Sequence, residues 1–254
     1  MLLAIDIGNT TTVIGVFDDE KLTAHFRVAS ALNLTSDEAG LFVSSLFRHH
    51  IKTDLKQIDR VALCSVVPRL TDVYAKMSQV YFEVKPLIIS SNIKLPVKID
   101  YPKPSEIGAD RLANAAAGYQ LCKSALIVVD LGTATTFDVV SEDGAYIGGI
   151  ITPGPQTAGA NLAEKAARLF EVRPLKPLTA IGKSTAQAIK SGLYWGTIGQ
   201  IDTILEKIFA ELGGPVKVIV TGGEARTFIS DSRYMSDYVP TLTLEGIRLI
   251  ANSQ

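Results

Sequence analysis

Two stretches of this chain place a carboxylate, a glycine and several hydroxyls directly after an apolar run. The first is Asp6-Ile7-Gly8-Asn9-Thr10-Thr11-Thr12-Val13, behind Leu2–Ile5; the second is Asp130-Leu131-Gly132-Thr133-Ala134-Thr135-Thr136, behind Leu126–Val129. These residue types in a tight turn suit phosphate and its metal. Glycine lets the backbone approach closely, N–H and hydroxyl groups donate to oxygen, and the acid can hold Mg²⁺ through water. For either stretch alone, a β-hairpin with a polar turn is an equal explanation. Two copies, each followed by the same hairpin pattern, are much harder to dismiss as coincidence.

A third group lies between the copies. Gly108-Ala109-Asp110-Arg111 opens an Ala-rich helix over Leu112–Tyr119, so Asp110 and Arg111 stand in a helix's first turn, where the dipole favours negative charge. A simple cap explains Asp110 as well as chemistry does, but the adjacent Arg111 and the preceding proline-rich stretch favour chemistry. Gly182-Lys183-Ser184-Thr185 invites a Walker A reading, yet that motif needs a glycine five positions before Gly182, where Pro177 stands, and no clear strand precedes it. It reads instead as the start of a helix capped by Ser184 or Thr185, with substrate contact as an addition. No Gly-x-Gly-x-x-Gly follows a strand, so a dinucleotide fold is unsupported. Gly222-Gly223-Glu224 ends an apolar strand and can bring backbone against a flat ligand. His25, His49 and His50 lack ligand partners at metal spacing. Cys64 and Cys122 read as buried free thiols, and Tyr194 and Trp195 as core aromatics.

Elements must position these groups. Leu2–Ile5, Val13–Phe17 and Leu22–Val28 read as three strands, and Ser36–His50 as a helix capped by Ser36 or Asp37. A buried strand over Val61–Val67, closed by Pro68, a helix over Leu70–Tyr81 and a strand over Pro86–Ser90 complete a βββαβαβ order, which implies a mixed sheet covered by helices. Residues 95–106, with Pro96, Pro102 and Pro104, form an extended loop. The second half repeats the hairpin through Phe137–Val140, the turn Ser141–Gly144 and Ala145–Ile151. Helices follow over Thr157–Leu169 and from Thr185 to Leu212, then a strand over Val216–Thr221, and a helix over Thr243–Asn252 that folds back onto the first half. The duplication argues for two similar lobes facing one another, each giving a phosphate-side turn.

Composition narrows the class. The 254 residues are 47% hydrophobic and 20% charged with a net charge of −1, enough for a real core and without a footprint for nucleic acid or a basic membrane-binding face. Asp6 interrupts the N-terminal apolar stretch and no basic region precedes it, so no signal peptide is expected. No apolar run is long enough to span a bilayer. A cytoplasmic protein with no nucleic-acid or membrane partner is the expectation.

With these motifs in hand, the chain resembles the type III pantothenate kinases, within the superfamily of acetate and sugar kinases, heat-shock chaperone ATPases and actin. The match rests on Asp6-Ile7-Gly8-Asn9-Thr10, Gly108–Arg111, Asp130-Leu131-Gly132-Thr133-Ala134-Thr135, Gly182–Thr185 and Thr221-Gly222-Gly223. The resemblance implies an α/β fold of two ribonuclease-H-like lobes of duplicated βββαβαβ type, with ATP in the cleft. The lobes would be 1–115, joined by a C-terminal helix over 241–254, and 116–240, which would carry the cation site and the dimer surface. It implies ATP-dependent phosphorylation of pantothenate to 4′-phosphopantothenate, the first step of coenzyme A biosynthesis, in a homodimer. By the same resemblance Asp6, Ile7, Gly8, Asn9, Thr10, Thr11, Thr12 and Val13 hold phosphate and Mg²⁺, the metal through water on Asp6, and Thr133 adds a phosphate contact. Asp110 is the general base. Arg111, within Gly108, Ala109, Asp110 and Arg111, binds the pantothenate carboxylate, with Tyr101 and Thr185 as further substrate contacts. Asp130 is the ligand of a monovalent cation, K⁺ or NH₄⁺. A kinase of the same fold for another small acid or sugar, or a non-catalytic ATP-binding relative, are the rivals.

Overall fold

The structure is a computed structural model and describes residues 1–51 and 55–254. In chain order its strands and helices are β1 (Leu2–Ile7), β2 (Thr11–Asp18), β3 (Lys21–Ala29), α1 (Ser36–Leu46), β4 (Arg60–Ser65), α2 (Pro68–Tyr81), β5 (Leu87–Ile88), β6 (Lys98–Ile99) and α3 (Ala109–Cys122). There follow β7 (Leu126–Leu131), β8 (Ala134–Val140), β9 (Ala145–Pro153), α4 (Pro155–Lys165), α5 (Thr185–Glu211), β10 (Lys217–Thr221), α6 (Ala225–Phe228), β11 (Asp237–Tyr238) and α7 (Leu242–Asn252). The chain divides into two compact units, one of Met1–Ala117 with Thr241–Gln254, the other of Gly118–Pro240.

In the first unit the strand order is β3-β2-β1-β4-β5. β1 and β2 are antiparallel, as are β2 and β3, whereas β4 lies parallel to β1. In the second unit the order β9-β8-β7-β10-β11 repeats this arrangement, with β10 parallel to β7. The likeness extends to detail. β1 and β7 bury their residues in the same sequence, each with a half-buried aspartate one residue before its end. Each hairpin also carries a register shift near the far end of its second strand, between Val16 and Phe17 and between Val139 and Val140. Such a bulge sharpens the local twist, so both sheets bend at matching places.

The apolar runs at β1, β4, β7 and β10 become central strands because helices cover both faces and no polar face is needed. In the first unit, Ile5, Ile14, Leu63, Val43, Phe47 and Tyr74 belong to one core between the sheet and α1 and α2. α7 packs against β1, β2 and β4 despite its place at the end of the chain, with Leu242, Leu244, Ile247 and Ile250 buried. In the second, Ile198, Ile201 and Leu205 of α5 pack with Ile127, Val129, Phe137 and Val220.

Several element ends differ from the sequence reading. α1 is capped by Thr35, one residue before Ser36, in a reciprocal box with Glu38; Thr35-x-x-Glu38 carries that signature. α1 ends at Leu46 and gives way to a wider π-turn over Phe47–Ile51. Pro68 opens α2 rather than closing a strand, and Pro155 opens α4 two residues before Thr157. Proline suits the first helical position, where its missing N–H would have no intrahelical partner. α4 stops at Lys165, short of Leu169. Tyr194 is core, but Trp195 is 40% exposed and packs edge-on against it.

Candidate active site

In the first unit the turn between β1 and β2 is closed by the Gly8 N–H donating to the Thr11 carbonyl at 3.0 Å. Asn9 and Thr10 are exposed at its tip, and Ile7 and Thr12 are buried beneath it. Asp6 stands half-buried near the end of β1, in register opposite Val13 of β2 and Cys64 of β4. That parallel register has a chemical result. Cys64 is fully buried, and its thiol donates to the Asp6 carboxylate. Burial, with the charges of Asp6 and Asp110, pushes the thiol well above its ordinary range. It is therefore a neutral donor at physiological pH, bonded to one acid and within the field of another far away in sequence.

Asp110 reaches this place from the first turn of α3. Its carboxylate folds back over the start of the helix, where Oδ1 accepts the Arg111 N–H at 2.9 Å. A Cβ added to Gly108 would lie 2.4 Å from that oxygen, so only glycine leaves room for the fold-back. Burial pushes the Asp110 carboxyl upward, and the Arg111 N–H and guanidinium oppose the shift without cancelling it. Ala109 is buried and Gly108 half-buried. Arg111 is half-buried, with Nη2 shielded from solvent, and Tyr101 is half-buried on the loop after β6.

In the second unit the corresponding turn is closed by the Gly132 N–H donating to the Ala134 carbonyl at 3.0 Å, with Thr133 exposed. Asp130 lies in parallel register with Thr221 of β10. Immediately after β10, Gly222 takes φ +96°, a conformation strained for any residue with a side chain. A Cβ there would meet Asp130 Oδ1 at 2.6 Å and the Leu131 carbonyl oxygen at 2.4 Å. The Leu131 amide nitrogen would lie 2.5 Å away as well, so the chain passes too close to Asp130 for any side chain here. The Asp130 carboxylate is itself an oxygen ligand of the kind a hard cation takes. Asp6 offers the same ligand type beside its own turn. Among the described residues, no three of His, Cys, Asp and Glu cluster so as to hold a metal unaided.

A hollow of about 350 Å³ lies beside Gly223, lined by Gln156, Arg173, Pro174, Leu175, Glu224 and Thr227. Burial pushes the Glu224 carboxyl upward against the backbone N–H of Gln156, which it accepts. The sequence points to Gly222-Gly223-Glu224; Gln156, Arg173 and Thr227 carry no local signal, since they come from separate segments. Thr185 is the exposed first residue of α5. Its neighbour Ser184 caps that helix, accepting the Gln187 N–H, so the Gly182–Thr185 segment is a helix start. Thr185 takes no part in the bonds that close the Gly132 turn.

Comparison with known proteins bears on both fold and family. The chain is 43% identical over 250 residues to a type III pantothenate kinase from Myxococcus xanthus, covering 98% of this chain and 97% of that one. It is 41% identical over 249 residues to one from Dehalococcoides mccartyi, covering 98% and 96%. Among solved structures, it is similar to a ROK hexokinase from Thermus thermophilus at TM-score 0.56 and 12% identity, covering 99% of this chain and 97% of that one. The activator of 2-hydroxyisocaproyl-CoA dehydratase from Clostridium difficile aligns at TM-score 0.53 and 12% identity, covering 98% and 93%. These neighbours carry the fold, an actin-like α/β architecture of two similar units. The family profile described as type III pantothenate kinase matches residues 2–207, and the chain belongs to that family.

Proposed function

We propose that this chain transfers the terminal phosphoryl group of ATP to the primary hydroxyl of pantothenate, using the groups gathered at Asp6, Asp110 and Arg111. The product is 4′-phosphopantothenate, and the reaction is the first step of coenzyme A biosynthesis, the activity of the family to which the chain belongs. The placement of Asp110 carries the site assignment. It is a half-buried acid at the start of α3 whose charge acts, with that of Asp6, on the Cys64 thiol.

Phosphoryl transfer needs positioning and charge neutralisation more than covalent chemistry. The residues Asp6–Val13 take the nucleotide phosphates, and Thr133 adds a donor. Asp110 accepts the hydroxyl proton of pantothenate and orients that oxygen toward phosphorus. In a loose transition state the proton leaves late, so orientation matters more than basicity. Arg111 pairs its planar guanidinium with the pantothenate carboxylate, while Tyr101 and Thr185 make further acceptor contacts. Asp6 would hold Mg²⁺ through water, and Asp130 would hold K⁺ or NH₄⁺; when bound, these ions would neutralise phosphate charge. The hollow at Gly223 and Glu224 suits the flat base. We further place the enzyme in the cytoplasm as a homodimer, a reading supported by the exposed apolar side chains of Phe170, Leu175, Leu178 and Ile181.

An acceptor screen with ATP, Mg²⁺ and K⁺ tests the activity. ADP release is expected with pantothenate and not with other small acids or sugars. Turnover of another acid without turnover of pantothenate overturns the proposal.

A further inference from the structure

In each unit the residue that follows the third strand makes the same bond to the turn. Ser30, directly after β3, donates its backbone N–H to the Thr10 carbonyl at 2.9 Å. Gly154, directly after β9, donates its N–H to the Thr133 carbonyl at 3.0 Å. In each unit a side-chain hydroxyl then engages a turn carbonyl as well. Ser30 Oγ donates to the Gly8 carbonyl at 2.7 Å, and Thr157 Oγ1, from α4, donates to the Thr133 carbonyl at 2.6 Å. Gly154 has no room for a side chain, since a Cβ would lie 2.0 Å from the Gly132 carbonyl oxygen.

The first unit extends this support into its core. Ser30 Oγ and Thr12 Oγ1 are 2.8 Å apart, and the Thr12 hydroxyl is also hydrogen-bonded to the phenol of Tyr74. A carbonyl only accepts and each hydroxyl has one proton. With Ser30 donating to Gly8, Thr12 must donate to Ser30. Thr12 is buried, so the proton order runs from inside the unit outward to the turn.

The electrostatic consequence concerns anions. A carbonyl lone pair turned toward phosphate repels it, whereas backbone N–H groups attract it. We propose that Ser30 and Thr157 are positioning residues that hold the turn carbonyls away from the nucleotide phosphates, so that each turn offers donors to them. This deepens the reading of the turns as phosphate sites and rests on it. It also gives the start of α4 a task that its own sequence does not advertise.

The test is calorimetric binding of ATP, ADP and adenosine to the unaltered protein and to Ser30→Ala, Ser30→Thr, Thr157→Val and Thr157→Ser. The variants that lose a hydroxyl should bind ATP and ADP about two- to tenfold more weakly, the range for one net hydrogen bond. Adenosine binding should not change, and the variants that keep a hydroxyl should restore ATP affinity. Equal losses for ATP and adenosine mark general loosening and overturn the positioning role, as does an unchanged ATP affinity in both Ser30→Ala and Thr157→Val. If the unaltered protein binds ATP no more tightly than adenosine, the phosphate reading of the turns falls and the positioning role falls with it. The ratio measured on the unaltered protein thus separates the two failures.

Discussion

Asp110 is the residue on which stability and the proposed catalysis pull in opposite directions. Its carboxyl is pushed upward in the fold by burial, so the folded state holds its proton more tightly than the unfolded chain does. For an acid with a raised folded-state value, stability falls as pH rises from the ordinary aspartate range through that folded value. Above it, the burial penalty is fully present. Asp110→Asn removes the charge but keeps an oxygen that can accept the Arg111 N–H. We expect kcat to fall by about 10²–10⁴-fold, the usual contribution of a positioned base, with ATP binding retained and urea stability at neutral pH equal or higher. The acid limb of kcat/KM in the unaltered protein should lie above the ordinary aspartate value. Near-normal turnover in the variant would remove Asp110 as the base, and an acid limb at or below that value would contradict the effect of burial.

At the scale of elements, the legible features are those with a local cause. The two Asp-x-Gly turns, the hairpins behind them and the start of α3 follow from apolar runs broken by glycine, hydroxyl and acid. The arrangement around Cys64 could not be read, because it depends on β4 lying parallel to β1 in one particular register. A one-residue slip would turn Cys64 to the opposite face. Ser30 and Thr157 escaped for the same reason, since their partners lie in the turns of preceding hairpins. Thr35 is a different kind of miss, as its capping box is visible in sequence but Ser36 and Asp37 compete for the role. In the structure Glu38 N donates to Thr35 Oγ1 at 3.2 Å and Thr35 N to Glu38 Oε2 at 2.8 Å. Thr35→Ala should therefore cost about 0.5–2 kcal/mol in urea unfolding, and Thr35→Ser much less. Equal stability of all three proteins would show that the cap contributes nothing to the unit's unfolding.

For the whole molecule, the chain's order and its packing disagree in one place. α7 comes after every other element in chain order, yet it belongs to the first unit and covers β1, β2 and β4. Leu242, Leu244, Ile247 and Ile250 are each 2% exposed or less. A Cβ on Gly15 would lie 2.9 Å from a methyl of Leu244, so helix and sheet meet without a gap. Burying a leucine or isoleucine side chain contributes about 1.5–3 kcal/mol, so four contribute about 6–12 kcal/mol, comparable to the entire stability of a typical domain. A protein ending at Pro240 should thus lose the first unit. The second unit keeps its own core around α5 and should persist. Hydrogen exchange resolves the two outcomes, with β1, β2 and β4 expected to lose protection and β7, β8 and β10 to keep it. The single tryptophan, Trp195, stands on α5 in the second unit, so its emission in urea gives a second readout of that unit alone. Native protection at β1 and β4 in the truncated protein would show that α7 is dispensable. Loss of protection throughout would show that the second unit does not persist when α7 is removed.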